Sequence, residues 1–365
     1  MEGEGMEQVA KEKQLRARGC RPTVHSGSPG SELCKCILVL AAFAFMLGCD
    51  KETDEQPAET TWHPECTKPP HERVDAYTPE TMVTDWGQPV RLGEPINSPC
   101  PEDACEISRY GQTLYFYFTK DLFENLPPED IFSHLNGTYV AHRIGGPADF
   151  DEPVFYDLGK GVTESLDGEL SFTPDGNKVY FHSLRATNTG YQQNPPTDDY
   201  LDIYVADITN GEPGPGRNLG SPVNSVYPDG EHAIHPDGVT LYFASERPGG
   251  IGGVDIWVST CEDSVWSEPV VLGEPLNSIA SDLQPAFTSD GDTMYFVSDR
   301  NPAIGTAIYR SSRAGMAWSD PELVIKGIVG EPSITADGKY LYFVHVLTDT
   351  NGVFDADIWY SERTP

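Results

Sequence analysis

The stretch Asp237-Gly238-Val239-Thr240-Leu241-Tyr242-Phe243 couples a turn dipeptide to an aromatic, β-rich run. Asp-Gly supplies the φ > 0 positions of a tight hairpin, and the run after it has the composition of the returning strand. The design recurs at Tyr110-Gly111-Gln112-Thr113-Leu114-Tyr115-Phe116, Asp175-Gly176-Asn177-Lys178-Val179-Tyr180-Phe181, Asp290-Gly291-Asp292-Thr293-Met294-Tyr295-Phe296 and Asp337-Gly338-Lys339-Tyr340-Leu341-Tyr342-Phe343. Such self-similarity defines a repeat architecture. The anchors are 65, 62, 53 and 47 residues apart, which places insertions at 117–136 and 183–200 in the first two repeats.

Around each anchor lie further strands. An apolar residue precedes the turn at a fixed offset (Ile107, Phe172, Ile234, Phe287, Ile334), and a third strand follows, clearest in Asp202-Ile203-Tyr204-Val205, Asp255-Ile256-Trp257-Val258 and Asp357-Ile358-Trp359-Tyr360. A fourth element has the form Trp-x-x-Pro, an apolar strand and Leu-Gly, as in Trp266 to Gly273. The last repeat reaches Arg363 without it, whereas Trp86-Gly87-Gln88-Pro89-Val90-Arg91-Leu92-Gly93-Glu94-Pro95-Ile96-Asn97-Ser98 parallels Trp266 to Ser278 almost position for position. The expectation is an all-β, five-bladed β-propeller of four-stranded blades, closed by pairing the N-terminal strand with the last blade.

These motifs resemble the WD40-like repeats of TolB-type bacterial propellers. The resemblance rests on the Asp-Gly turn and Tyr-Phe strand, on Ser245-Glu246-Arg247 and Ser298-Asp299-Arg300, and on Asp255-Ile256-Trp257. It covers roughly residues 86–364, is weakest in the first blade where Tyr110 replaces the turn Asp, and implies a fold rather than an activity.

Composition bounds the function. Lys and Arg total 24 against 57 Asp and Glu, a formal charge of −33, which argues against a nucleic-acid partner. Cys36 to Cys49 is an uncharged apolar run of signal-peptide length ending in Met46-Leu47-Gly48-Cys49, which resembles a bacterial lipobox with Cys49 as the lipidated residue. The expected organisation is an N-terminal extension and lipoprotein signal peptide over 1–48, an acidic, Pro-containing tether over 49–85 and the propeller over 86–365. The expected setting is the bacterial cell envelope, with a lipid-anchored, monomeric propeller in the periplasm or on the cell surface. Among the remaining cysteines, the short loop between Cys100 and Cys105 permits a disulfide, leaving Cys66 and Cys261 to pair by elimination.

No Gly-x-Ser-x-Gly, His-Glu-x-x-His or Cys-x-x-Cys string occurs, and His232 and His235 read as packing residues for want of a third ligand. Asp202, Asp255 and Asp357 recur before a strand and read as turn caps, and Gly249 to Gly253 reads as a turn rather than a phosphate loop. Alignment on the turns puts Glu169, Glu231, Gln284 and Glu331 in one column and Glu102, Asp167, Asp229 and Asp282 in another. Both columns fall at the start of the innermost strand, so a weak divalent-cation site (calcium, for example) or a polar-ligand site is expected at one channel mouth. The aromatic insertions (Tyr115 to Phe118 with Phe123, and Tyr191 to Pro196) offer a second surface for a protein or glycan. The expected function is a non-catalytic binding or scaffold platform; a glycosidase using channel carboxylates and a purely structural envelope protein are the alternatives.

Overall fold

The computed structural model describes residues 75, 77–120, 136–159, 165–191, 201–315, 317–348 and 354–364. The apolar run from Cys36 to Cys49, Cys66, most of residues 50–85 and much of both insertions, with Phe123 and 192–196, lie outside the described residues.

Five antiparallel sheets form the blades of a propeller. Their innermost strands are Glu102–Ile107, Leu166–Phe172, Asp229–Ile234, Asp282–Phe287 and Val329–Ile334. Each is followed by the anchor strand (Thr113–Phe118, Lys178–Leu184, Thr240–Ser245, Thr293–Ser298, Tyr340–Thr348) and then by a third strand further out. The turns between the first two strands hold Gly111, Gly176, Gly238, Gly291 and Gly338 at φ between 65° and 77°, so Tyr110-Gly111 turns as the Asp-Gly pairs do.

Alternation along the anchor strand explains how the blades pack. Tyr points to one face while its neighbours in Leu-Tyr-Phe point to the other. Each interface therefore sets Tyr of one blade against the Leu/Phe side of the next: Tyr115 with Val179 and Phe181, Tyr180 with Leu241 and Phe243, Tyr242 with Met294 and Phe296, and Tyr295 with Leu341 and Phe343. The fifth interface repeats the pattern across the ring closure, Tyr342 with Leu114 and Phe116.

The closing strand is where the repeat arithmetic puts it. Val90 pairs with Tyr360 and Arg91 with Trp359, and Trp86 bridges Arg363. Arg91 Nε and Nη2 each lie 2.7 Å from the Asp357 carboxylate. Asn97 donates to the Ile358 carbonyl at 2.8 Å and accepts the Ile358 N–H at 2.8 Å, as Asn224 and Asn277 do for Ile203 and Ile256 within the chain. The N-terminal segment also joins blade 4, where Glu80–Thr81 adds an outer strand against Ile325 and Lys326.

Two features depart from the sequence reading. Blades 2 to 4 carry extra two-residue strands, Glu212–Pro213, Val265–Trp266 and Ala317–Trp318, folded back on the third strand. They follow residues at positive φ (Asn210, Gly211, Asp263, Ser264, Gly315), which make tight hairpins. Cys100 and Cys105 are not joined: Cys100 is disulfide-bonded to a residue outside those described, while Cys105 and Cys261 are free thiols, which also removes a Cys66–Cys261 pair. Cys105 lies within the innermost strand Glu102–Ile107, where its thiol donates to the Glu331 carbonyl at 3.4 Å instead.

Candidate functional site

Every innermost strand is interrupted by a bulge at the same position, seen as a register shift against its anchor strand. The bulged residues are Ala104, Glu169, Glu231, Gln284 and Glu331, at φ between 48° and 54°. A left-handed conformation at a residue with a Cβ costs about 1–3 kcal/mol and persists only when neighbours hold it. Here the neighbours do so around the ring. The Glu331 carboxylate accepts the Ala104 N–H, Gln284 Oε1 accepts the Glu331 N–H at 2.8 Å, and the Glu169 carboxylate accepts the Glu231 N–H.

The structure separates the two acidic columns. Asp167, Asp229 and Asp282 are paired with Arg185 at 2.7 Å, Arg247 at 2.5 Å and Arg300 at 2.6 Å. Glu102 accepts a hydrogen bond from Ser98. The three aspartates lock the innermost strands of blades 2 to 4 to their own blades, and Glu102 ties that of blade 1 to the closing segment. Asp202 and Asp255 accept backbone N–H groups of Thr189 and of Ile251 and Gly252, the capping role expected of them. In the glycine run, a Cβ on Gly252 would lie 2.1 Å from the Ala280 carbonyl oxygen, so close packing explains that glycine.

The bulge column faces a different environment. Glu169, Gln284 and Glu331, with Cys105, Glu106 and His232, line the deep part of a cavity of about 460 Å³. Its outer wall is made by Ser108, Arg109, Tyr110, Tyr115, Phe172, Asp175, Phe287 and Ser289, so it is a funnel opening on the face that carries the Asp-Gly turns. Burial, then the Asp103 charge, pushes the Glu169 and Glu331 carboxyls well above the usual range; burial, then the Glu169 charge, does the same to Glu231. Burial raises Glu106 to about 8, against the Ser333 hydroxyl that donates to it at 2.6 Å.

These shifts carry a sign. Below about pH 4.5 Glu106 is protonated whether the chain is folded or not, and between about 4.5 and 8 only the folded chain keeps the proton. Stability therefore falls as pH rises through that window, by up to about 1.4 kcal/mol per unit for one such group, and levels off above it. Differential scanning fluorimetry is expected to show a higher melting temperature at pH 5 than at pH 8, with Glu106→Gln flattening the slope.

His182, from the anchor strand of blade 2, went unnoticed in the sequence. Its position after Phe181 corresponds to Tyr117, Ala244, Val297 and Val344 in the other blades, and a lone imidazole among apolar residues was the available signal. His232 also differs from the packing role expected of it. His235 does pack, its ring centroid 5.0 Å from that of Phe287 with Nε2 3.3 Å from the Gly291 carbonyl, whereas buried His232 has only the Tyr180 backbone beside it and no aligned hydrogen bond at either nitrogen.

No protein-family model matches the sequence, and no curated protein matches it. Among solved structures, a TolB of Agrobacterium tumefaciens is similar at 16% identity over 73% of this chain and 84% of that one, with a TM-score of 0.38. An arabinanase of Bacillus subtilis is similar at 12% identity over 73% and 95%, with a TM-score of 0.42. A Dyadobacter fermentans protein of unknown function is similar at 13% identity over 79% and 100%, with a TM-score of 0.46. The chain is a β-propeller with distant structural similarity to TolB and to glycosidase propellers, and what it shares with them is architecture.

Proposed function

We propose that the propeller is the binding platform of an envelope lipoprotein and takes a short glycan into its funnel. The observation that carries this reading is the mixed wall of the cavity, where Tyr110, Tyr115, Phe172 and Phe287 stand beside Ser108, Arg109 and Ser289. Aromatic faces pack on the C–H faces of sugar rings, and the interspersed polar groups take the hydroxyls. The turns and innermost strands that bear these residues form a rigid scaffold, which limits the entropy lost on binding. The lipobox-like Cys49 would hold the ring at a membrane, with an acidic surface suited to an extracytoplasmic setting.

Titration calorimetry with a panel of envelope and plant-wall oligosaccharides tests the reading. Tyr110 is 79% exposed at the rim, so Tyr110→Ala leaves the fold intact. That variant is expected to weaken glycan binding about 5- to 10-fold, the ~1 kcal/mol of one aromatic contact. Absence of binding across the panel, or indifference to Tyr110→Ala, would count against it. Cys49→Ser is expected to move the protein from the membrane fraction to the soluble one.

Glycan hydrolysis is a second reading, favoured by Glu106, whose raised pKa keeps a proton on the cavity wall near neutrality. Release of reducing ends from the same panel, abolished by Glu106→Gln, would replace the binding platform with an enzyme.

A further inference from the structure

We propose that Glu169, His182 and His232 form a site for one divalent transition-metal ion, of the class that imidazole and carboxylate ligands hold, at the floor of the funnel. The three donor groups come from different strands, yet their ligating atoms all lie within 4.8 Å of one another. His182 Nδ1 is 3.0 Å from Glu169 Oε2, but the two are not aligned as a hydrogen bond, and neither atom has a hydrogen-bond partner. His232 is only 3% exposed and interacts with the Tyr180 backbone, without an aligned hydrogen bond at either ring nitrogen. Buried polar atoms left unsatisfied are costly, so such a concentration at one point asks for a missing partner.

The backbone is shaped around this cluster. The bulge turns Glu169 inward, and its counterpart in blade 3 places His232 immediately after Glu231. Gly230 admits the His182 ring: a Cβ there would lie 3.1 Å from His182 Nδ1 and 2.4 Å from Leu201 Cδ2. Donors held about 2.1 Å from an ion sit about 3.0–3.4 Å apart at octahedral or tetrahedral angles. Binding would draw the three atoms from within 4.8 Å of one another to that spacing.

The donor chemistry selects the ion. Two imidazoles and one carboxylate suit zinc, iron, cobalt or nickel, whereas calcium takes six to eight oxygens. Glu231 Oε2 is a further buried oxygen without an aligned partner. Glu169 and His232 line the funnel, so the remaining coordination positions would face its contents.

The test uses the full chain in detergent, stripped with EDTA, and needs no glycan. Cobalt(II) is expected to bind at one equivalent with visible d–d absorption, to be displaced by zinc, and to be unaffected by millimolar calcium. His182→Ala and Glu169→Gln, the latter keeping the side-chain shape, should each weaken binding at least 10-fold. His235→Ala at the rim should not. A folded wild-type protein that binds neither cobalt nor zinc at micromolar concentration overturns the site. So does binding that survives both variants, and equal competition by calcium overturns the choice of metal class. Glycan titration of the same EDTA-treated preparation reports on the funnel separately.

Discussion

Removing residues 86–98 is expected to abolish cooperative unfolding of the propeller, whereas removing 50–62 should leave the melting temperature within about a degree. The segment supplies the outer strand of blade 5 and also fills its seams. Trp86 is 2% exposed against Tyr295 and beneath Arg363, while Leu92 and Ile96 are fully buried at the junction of blades 5 and 1. Asp85 binds Arg310 of blade 4 and Arg363 of blade 5, so the strap spans two blades at the closure. A ring with one interface opened loses two packed faces at once, because each blade is stabilised by its neighbours. A point variant isolates the latch. Asn97→Ala removes its donor and acceptor bonds to Ile358 and leaves buried backbone groups unsatisfied, at a cost of about 2–4 kcal/mol. Urea titration measures that loss, and an Asn97→Ala protein as stable as wild type would show that strand pairing alone closes the ring.

The second large effect is expected at Arg247. Its guanidinium meets fully buried Asp229, donates from Nη1 to the Pro222 carbonyl at 3.3 Å and from Nη2 to that of Val223, and lies over the rings of Phe243 and Trp257 at 4.9 and 5.5 Å. Arg247→Ala strands the Asp229 carboxylate with only the serines Ser225 and Ser245 for partners. Losing one member of a buried pair costs about 3–5 kcal/mol, or about 10 °C in a domain of this size. Lysine has no planar fork to reach both the carboxylate and the carbonyls, so Arg247→Lys should recover little. Adding Asp229→Asn to Arg247→Ala should restore part of the loss. A double variant no better than the single would mean that the arginine acts through packing on the rings.

Arg247 also shows how far the sequence could be read. Ser245-Glu246-Arg247 and Ser298-Asp299-Arg300 were visible as repeats, but not that their arginines return to an innermost-strand aspartate 18 residues earlier. The two acidic columns looked equivalent for the same reason. Linear register assigns both to the start of the innermost strand, whereas the bulge turns one into the funnel and leaves the other beside arginines. Glu169, Glu231 and Glu331 each follow a glycine, but the left-handed residue is the glutamate itself, and hydrogen bonds from the preceding blade hold the backbone at Glu231 and Glu331.

The fold, its blade number and the closure by Val90 and Arg91 follow from sequence alone, because Asp-Gly turns and alternating Leu-Tyr-Phe strands are local codes repeated at each blade. The cysteine pairing and the meeting of Glu169, His182 and His232 were decided only in three dimensions. They depend on which strands lie side by side at the axis and on a left-handed residue that tertiary hydrogen bonds hold in place, and neither is encoded in any single stretch of chain.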